Sequence, residues 1–331
     1  MYKIVRNTYH PVVDVYMDII AKACTMISGG CEVIEYKSKQ SKKDFIVVDS
    51  PMIFLFYGLR GYKNMITWYQ GVLPEESYLK NKSKLRCIVL EMIERFALKK
   101  SKFNFFVSEE MRKHYEKKYR INLSDNSFVM PCFNELKLSE DAFENPVKYQ
   151  ENTFVYLGGL QDWQCFEQTV DLYKKIEDNS SKPTKFYVFS GSKEKAIGIL
   201  EKYGVKNYAV DSVPADELSE RIKHIKYGFV LREDTPINNV ATPTKFSNYV
   251  GNGIIPIYSS CIRSFAEYDK SLELGTVYDL QDEKTGLDNI LSHMERTISP
   301  DEIHTKCKKV FSEYYNAEKY VADIAEKLKK L

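Results

Sequence analysis

Short apolar, β-branched runs recur along this chain, each followed by a longer amphipathic stretch, and this alternation limits the folds open to it. "KIVR" (3–6) precedes an amphipathic helix over 12–27 closed by Gly29 and Gly30, and "CEVIEY" follows as a strand. "DFIVVDS" (44–50) stops at Pro51, and "NMITWYQG" (64–71) reads as another buried strand. "FNFFVSEEM" (103–111) is a strand entering a helix with Ser108 at its N-cap and Glu109 and Glu110 in its first turn. "SFVMPCFNE" (127–135) ends the series. The polar stretch 136–152, "LKLSEDAFENPVKYQEN", has no strong period and reads as a linker. The pattern then restarts with strands at "TFVYLGGL", "TKFYVFSG", "NYAVDS", "YGFVLRE" and "GIIPIYS", separated by helices over 164–177, 193–203, 214–224 and 243–250. Strands separated by helices of about 10–15 residues form parallel, doubly wound sheets. The expectation is an α/β chain with two Rossmann-like domains, 1–140 and 150–311, facing a cleft. Ligands in such sheets bind beyond the C-terminal strand ends.

Bulk properties agree. A chain of 331 residues that is 44% hydrophobic suits two cores. No apolar run approaches the ~20 residues of a membrane-spanning helix, and the N-terminus shows no signal-peptide core. Seven cysteines, scattered and never in CxxC spacing, argue for reduced thiols in a cytoplasmic protein without a zinc site. Net charge is only +2 but unevenly spread: residues 1–150 hold 24 Lys and Arg against 18 Asp and Glu, and 80–120 hold 13 against 5. That basic segment could face phosphate, nucleic acid or anionic lipid, or simply water. Within it, Leu85, Ile88, Val89, Met92, Ile93, Phe96 and Ala97 share a helical face and are expected to be core.

Several chemistries lack their signatures. There is no GxxxxGK[ST] loop, no GxGxxG after the first strand, no Asp-x-Asp, no His/Cys group at metal spacing and no GxSxG elbow. The segment "ATPTKFSNYVGNGIIPI" (241–257) stands out instead. Pro243 and Thr244 open a helix whose first-turn amides form an anion site, and Lys245 adds full charge there. Arg232 closes the preceding strand, and a Lys and an Arg converging on a helix start suit a diphosphate. By spacing alone, an ordinary crossover with surface cations fits as well.

"TPTKFSNYVGNGIIPIYSS" resembles the nucleotide-sugar segment of GT-B glycosyltransferases of the family-four type, which often reads S/T-P-x-K-x-x-E-Y-x-x-x-G-x-P-V-I; Pro243, Lys245, Tyr249, Gly253 and Pro256 match. "TFVYLGGLQDWQ" resembles the opening of the second domain in that family, and "YAVDSVPADEL" the stretch near the nucleobase. "KFNFFVSEEMRKHY" and "SFVMPCFNE" resemble the end of the first domain, so the likeness covers most of 45–265. It implies a metal-independent, cofactor-free transfer of a hexosyl or N-acetylhexosaminyl group from a nucleotide sugar to a hydroxyl of a glycan or lipid-linked glycan, as in bacterial capsule and surface-polysaccharide synthesis. UDP is the first-choice nucleotide and GDP the second.

The same resemblance distributes roles. Lys245, Arg232 and the helix dipole would stabilise the departing diphosphate. Gly158 and Gly159 would let the sugar diphosphate approach the backbone, and Asp211 to Val213 would meet the base through main-chain groups. Pro243, Thr244 and Asn248 complete the expected donor site. Two departures stand out: the family carboxylate that holds the ribose is Asn248 here, and its partner Glu eight residues earlier is Val240. A base, if the reaction inverts, would come from the first domain: His10 is the candidate, with Asp14, Glu75 and Glu76 behind it. Gln70 stands where many relatives carry a His, so the acceptor-side candidates are Asp14, Gln70 and Glu75. Trp163 would wall the sugar pocket or pack in the core. Residues 312–331, basic and amphipathic, would form a C-terminal helix returning to the first domain, as in this fold. The basic segment 80–120 would dock a peripheral enzyme on the inner face of the plasma membrane. A catalytically silent scaffold of the same fold is the rival reading; nucleic acid is not expected as a partner, because the patch lacks an RNA-binding aromatic motif.

Overall fold

The computed structural model describes residues 1–6 and 11–331. The first sheet contains β1 (Tyr2–Arg6), β2 (Cys31–Glu35), β3 (Phe45–Val48), β4 (Met65–Tyr69), β5 (Phe103–Phe106) and β6 (Ser127–Val129). They are all parallel and ordered β2-β1-β3-β4-β5-β6. The second contains β7 (Asn152–Leu157), β8 (Thr184–Phe189), β9 (Tyr208–Asp211), β10 (Tyr227–Val230), β11 (Ile255–Tyr258) and β12 (Thr276–Val277). Its order, β12-β11-β10-β7-β8-β9, is the 3-2-1-4-5-6 arrangement of a dinucleotide-binding sheet, with the direction of winding reversing between β7 and β10. Strands β4, β5, β7, β10 and β11 are buried along their whole length, as parallel strands covered on both faces must be.

Two compact units result. The first comprises Met1–Asn134, Asn239–Thr242 and Asn316–Leu331; the second comprises Glu135–Asn238 and Pro243–Tyr315. The stretch 136–152, expected as a linker, instead folds into the second unit. It forms two 3-10 turns, Glu140–Phe143 and Pro146–Tyr149, that bury Ala142, Phe143, Lys148 and Tyr149. The buried Lys148 ammonium donates to the carbonyls of Ala142 and Asn252, which fastens the segment there. The final helix runs Ala317–Leu328, shorter than 312–331, because Tyr314–Asn316 breaks it from the helix Pro300–Glu313. Asn316 caps it, accepting from the Lys319 amide at 2.9 Å. It packs on the helix Pro11–Ser28 of the first unit and buries Ile324, Ala325 and Leu328.

The helix Lys84–Lys100 forms where the apolar period places it, but with the opposite face inward. Leu90, Glu94, Ala97 and Leu98 are buried, whereas Leu85 is 75% exposed, Met92 60% and Ile88 52%. The sequence expectation of a core stripe is therefore wrong for Leu85, Ile88, Val89, Met92 and Phe96. What turns the helix is Glu94, whose carboxylate accepts from the hydroxyls of Tyr119 at 2.6 Å and Tyr115 at 3.2 Å. A period count treats a glutamate as a surface residue, and here two phenols draw it inside.

The seat of the second unit is Tyr249, fully buried on β7 and β10. Its hydroxyl donates to the carbonyl of Phe229 at 3.1 Å and approaches that of Val155 at 3.4 Å. Its ring packs against Gly228, where a Cβ would sit 2.6 Å from the nearest ring carbon. Gly228→Ala is therefore expected to lower stability by about 1–3 kcal/mol, since neither strand nor ring can move aside; thermal unfolding measures it, and an unchanged melting temperature would refute the packing argument.

Glu94 gives a pH signature. Burial, only partly opposed by the Tyr119 hydrogen bond, pushes its carboxyl up to about 7 from an ordinary 4.5. A carboxyl raised on folding favours the native state below its unfolded pKa, and that advantage fades as pH rises through about 7. Glu94→Gln should remove a loss of up to about 3 kcal/mol between about pH 4.5 and 8, read as a flatter profile of melting temperature against pH than wild type.

Candidate functional site

A pocket of about 430 Å³ opens at the C-terminal ends of β7, β8 and β9 in the second unit. Gly158 and Gly159 follow β7, Ser190 and Gly191 follow β8, Ser212 and Val213 follow β9, and Thr244, Lys245 and Asn248 come from the helix seated by Tyr249 and the residue before it. Gly158 has φ +117, a conformation that L side chains avoid, and its amide donates to the Phe189 carbonyl at 2.9 Å. A Cβ at Gly158 would lie 3.1 Å from Cε of Lys245. The glycine thus makes room for the lysine to cross the strand end.

Lys245 is 9% exposed and Arg232 6%. Lys245 Nζ lies 4.3 Å from the centre of the Tyr156 ring and donates to Gln164 Oε1 at 2.8 Å. Arg232 donates Nη2 to the same Oε1 at 2.8 Å, and Nη1 to the main-chain oxygens of Leu231 at 2.8 Å and Gln164 at 3.3 Å. Among the described residues no carboxylate forms an ion pair with either cation. Burial, and then the neighbouring Arg232 charge, push the Lys245 ammonium well below its usual pKa; burial also lowers that of Arg232. Two buried cationic groups share one neutral oxygen, a condition that an incoming anion relieves.

The expected donor residues divide accordingly. Gly158, Gly159, Val213, Thr244, Lys245 and Asn248 line the one pocket. Arg232 does not line it, and neither does the Gln164 that joins it to Lys245. Asp211 is outside: its carboxylate is paired with Lys193 at 2.7 Å and Arg221 at 2.8 Å, and its carbonyl accepts from the Ser190 amide. Its place is taken by Ser212. Pro243 precedes the helix Lys245–Gly251, which starts two residues later than expected and is only seven residues long. The amides of Phe246, Ser247 and Asn248 already donate to Pro243 and Thr244 carbonyls, so the anion site predicted from free first-turn amides is instead one made by side-chain cations. The Asn248 side chain faces the pocket without a hydrogen bond among the described residues. Val240 belongs to the first unit, where its carbonyl accepts from Ser108 Oγ at 2.7 Å.

In the first unit a second pocket, about 440 Å³, lies at the ends of β3 and β4, with Tyr36, Asp49, Ser50, Gln70 and Glu76 in its wall. Of the acceptor-side expectations only Gln70 is there, its amide donating to the Asp49 carbonyl at 3.3 Å. Glu75 points elsewhere, to His114 Nε2 at 3.1 Å and Lys118 Nζ at 2.8 Å. Burial works to raise its pKa, but these two hydrogen bonds prevail and lower it. Asp14 is spent on Arg6 at 2.6 Å, which ties β1 to the helix after it. His10 lies outside the described residues. Trp163 is half-buried in the turn Asp162–Gln164, neither core nor pocket wall. Glu76, named with Asp14 and Glu75 among the base candidates, does line this pocket, and Asp49 joins it there unanticipated; burial raises the pKa of both carboxyls. Gln164 closes the segment that resembles the opening of the second domain, but no role attaches to it in the sequence; Ser190 and Gly191 are marked only by their position after a strand.

No family model matches the chain, and no curated protein matches it in sequence. Solved structures do match in shape. Sucrose-phosphate synthase from Thermosynechococcus elongatus superposes with a TM-score of 0.74 at 11% identity, covering 99% of this chain and 98% of that one. Anabaena HepE, in complex with UDP-glucose, gives 0.68 at 9% identity, covering 100% and 99%. A point mutant of S. aureus TarM, in complex with fondaparinux, α-GlcNAc-glycerol and UDP, gives 0.60 at 10% identity. There 87% of this chain is covered but only 56% of TarM, so this chain spans little more than half of that protein. The fold is GT-B, as the sequence resemblance implied.

Proposed function

We propose that the chain is a metal-independent glycosyltransferase that moves a sugar from a UDP-sugar to a hydroxyl of a glycan or lipid-linked glycan. The observation that carries this reading is the pair of buried cations, Lys245 and Arg232, with no carboxylate partner among the described residues, at the switch point of a dinucleotide-type sheet. Such a centre suits a group that gains negative charge as a bond breaks, which is what the diphosphate of a nucleotide sugar does. Lys245 meets the leaving diphosphate, and Arg232 reinforces its field from behind, the charge role that a divalent metal fills in other transferases. Gly158 and Gly159 give the diphosphate a close approach, Ser212 and Val213 the base, and Asn248 the ribose. HepE and TarM were solved with UDP-glucose and UDP, which favours uridine. In the first unit, Asp49, Gln70 and Glu76 offer two carboxyls and an amide to a hydroxyl-bearing acceptor.

Thermal unfolding with UDP, GDP, CMP and dTDP sugars tests the reading. UDP should raise the melting temperature, and Lys245→Met should abolish that shift while raising the melting temperature of the free protein, because an unpaired buried cation has been removed. No shift with any nucleotide would overturn the donor site. A UDP shift without sugar transfer to any acceptor would favour a silent scaffold.

We extend the reading to a peripheral membrane site. The exposed stripe Leu85, Ile88, Val89, Met92 and Phe96 is flanked by exposed Lys82, Lys84, Arg86, Arg95, Lys99 and Lys100, none ion-paired among the described residues. An apolar stripe rimmed by cations matches an anionic bilayer surface. No helix among the described residues is long and apolar enough to cross a membrane. Leu85→Glu with Met92→Glu should weaken binding to phosphatidylglycerol vesicles at least about tenfold; wild-type protein that fails to sediment with them at low salt would refute the site.

A further inference from the structure

We propose that Gln164 is a positioning residue of the cationic centre: its neutral amide fastens Arg232 to Lys245 while leaving both charges uncompensated, so that the pocket selects a diphosphate over a monophosphate. This rests on the donor-site reading above.

The geometry is specific. Gln164 Oε1 accepts from Lys245 Nζ and Arg232 Nη2, both at 2.8 Å. Arg232 does not line the pocket and Lys245 does, so the Gln164 amide is the link through which the guanidinium bears on the lysine. The turn that carries Gln164 is closed by the Gln164 amide on Gln161 at 2.8 Å and the Cys165 amide on Asp162 at 3.1 Å. Cys165 then takes φ +53, and its carbonyl receives both the amide of Thr169 at 2.9 Å and its hydroxyl at 2.8 Å. The backbone that carries the Gln164 side chain is therefore held at the start of the helix Phe166–Asn179, and the side-chain oxygen is held by the two cations.

Neutrality is the second half of the argument. Among the described residues, the titratable groups that bear on Lys245 are Arg232 from the loop after β10, Tyr156 from β7 and Cys165 from the turn, and none of these is a carboxylate. A glutamate at 164 would have the same shape and reach but would satisfy both cations internally. With glutamine no carboxylate among the described residues compensates them, and an anionic ligand that does so also favours the Lys245 ammonium that burial disfavours. A monophosphate presents fewer oxygens and less charge than a diphosphate, so the second positive charge is what separates the two.

The test is isothermal titration of the full chain with inorganic pyrophosphate, UDP and UMP, on wild type, Gln164→Glu and Gln164→Met. Wild type should prefer UDP to UMP by at least about tenfold. Gln164→Glu should lose about thirtyfold or more in pyrophosphate affinity, bring UDP and UMP close together, and move the alkaline limb of its remaining binding to higher pH. Gln164→Met, which removes the acceptor without adding charge, should lose only about three- to tenfold and keep the UDP preference. Pyrophosphate binding by Gln164→Glu within about threefold of wild type would overturn the proposal, as would equal losses in the two variants, which would mark shape rather than charge. Should Gln164→Glu not fold, wild-type affinity in Gln164→Met overturns the fastening role. Wild type that binds pyrophosphate but not UDP retains the role of Gln164 and sinks the nucleotide-sugar reading; wild type that binds neither sinks both.

Discussion

Tyr249 lying on Gly228 is the contact from which the rest of the second unit's chemistry follows. A ring pressed to a strand with no side chain beneath it brings the helix Lys245–Gly251 close to the place where the sheet reverses its winding. The phenol then donates to a main-chain oxygen of β10, which fixes the height of the helix as well as its distance. Lys245 stands one turn before Tyr249, so the same contact sets the lysine over Gly158. Glycine recurs on both sides of this arrangement for one reason: at each place the neighbour needs the space a Cβ would fill.

The cationic centre works against the stability of the empty protein. Buried charges are ordinarily paired, and replacing an unpaired one by an apolar group usually stabilises. Here two sit together with a single shared oxygen and two carbonyls as compensation. A fold keeps such an arrangement where something outside the chain completes it, and a diphosphate has the charge and the oxygens to do so. The first unit's pocket is of the opposite character, with two carboxyls and an amide in its wall, suited to hydroxyls rather than phosphates.

Much of the fold is legible because parallel strands buried on both faces leave continuous apolar runs. Every strand named from such a run forms where it is named, and the two-residue β12 alone is missed, being too short to leave one. Six residues of the second unit's pocket are legible from short motifs and from the rule that ligands bind at strand ends. What the sequence hides depends on contacts between residues distant along the chain. Glu94 is drawn inward by Tyr115 and Tyr119, and no helical period reports that. Asp14, Glu75 and Asp211 carry the right chemistry for a site but are consumed by cations elsewhere in the fold, Arg6, Lys118 and Lys193 among them. Gln164 is an unremarkable polar residue until the fold sets two cations against it. The stretch 136–152 reads as a linker because its polarity is high, yet Lys148 and Tyr149 are buried among carbonyls that the sequence does not advertise.

The first unit is assembled from three separate stretches, the last of them Asn316–Leu331. On a ribosome, the helix Pro11–Ser28 emerges early, and the helix Ala317–Leu328 that covers it emerges only after the entire second unit has been made. Until then the apolar face of the early helix has no cover of its own. The second unit, by contrast, needs nothing beyond Tyr315. The later unit can therefore be complete before the earlier one, and a fragment cut at residue 134 would lack a wall rather than a tail.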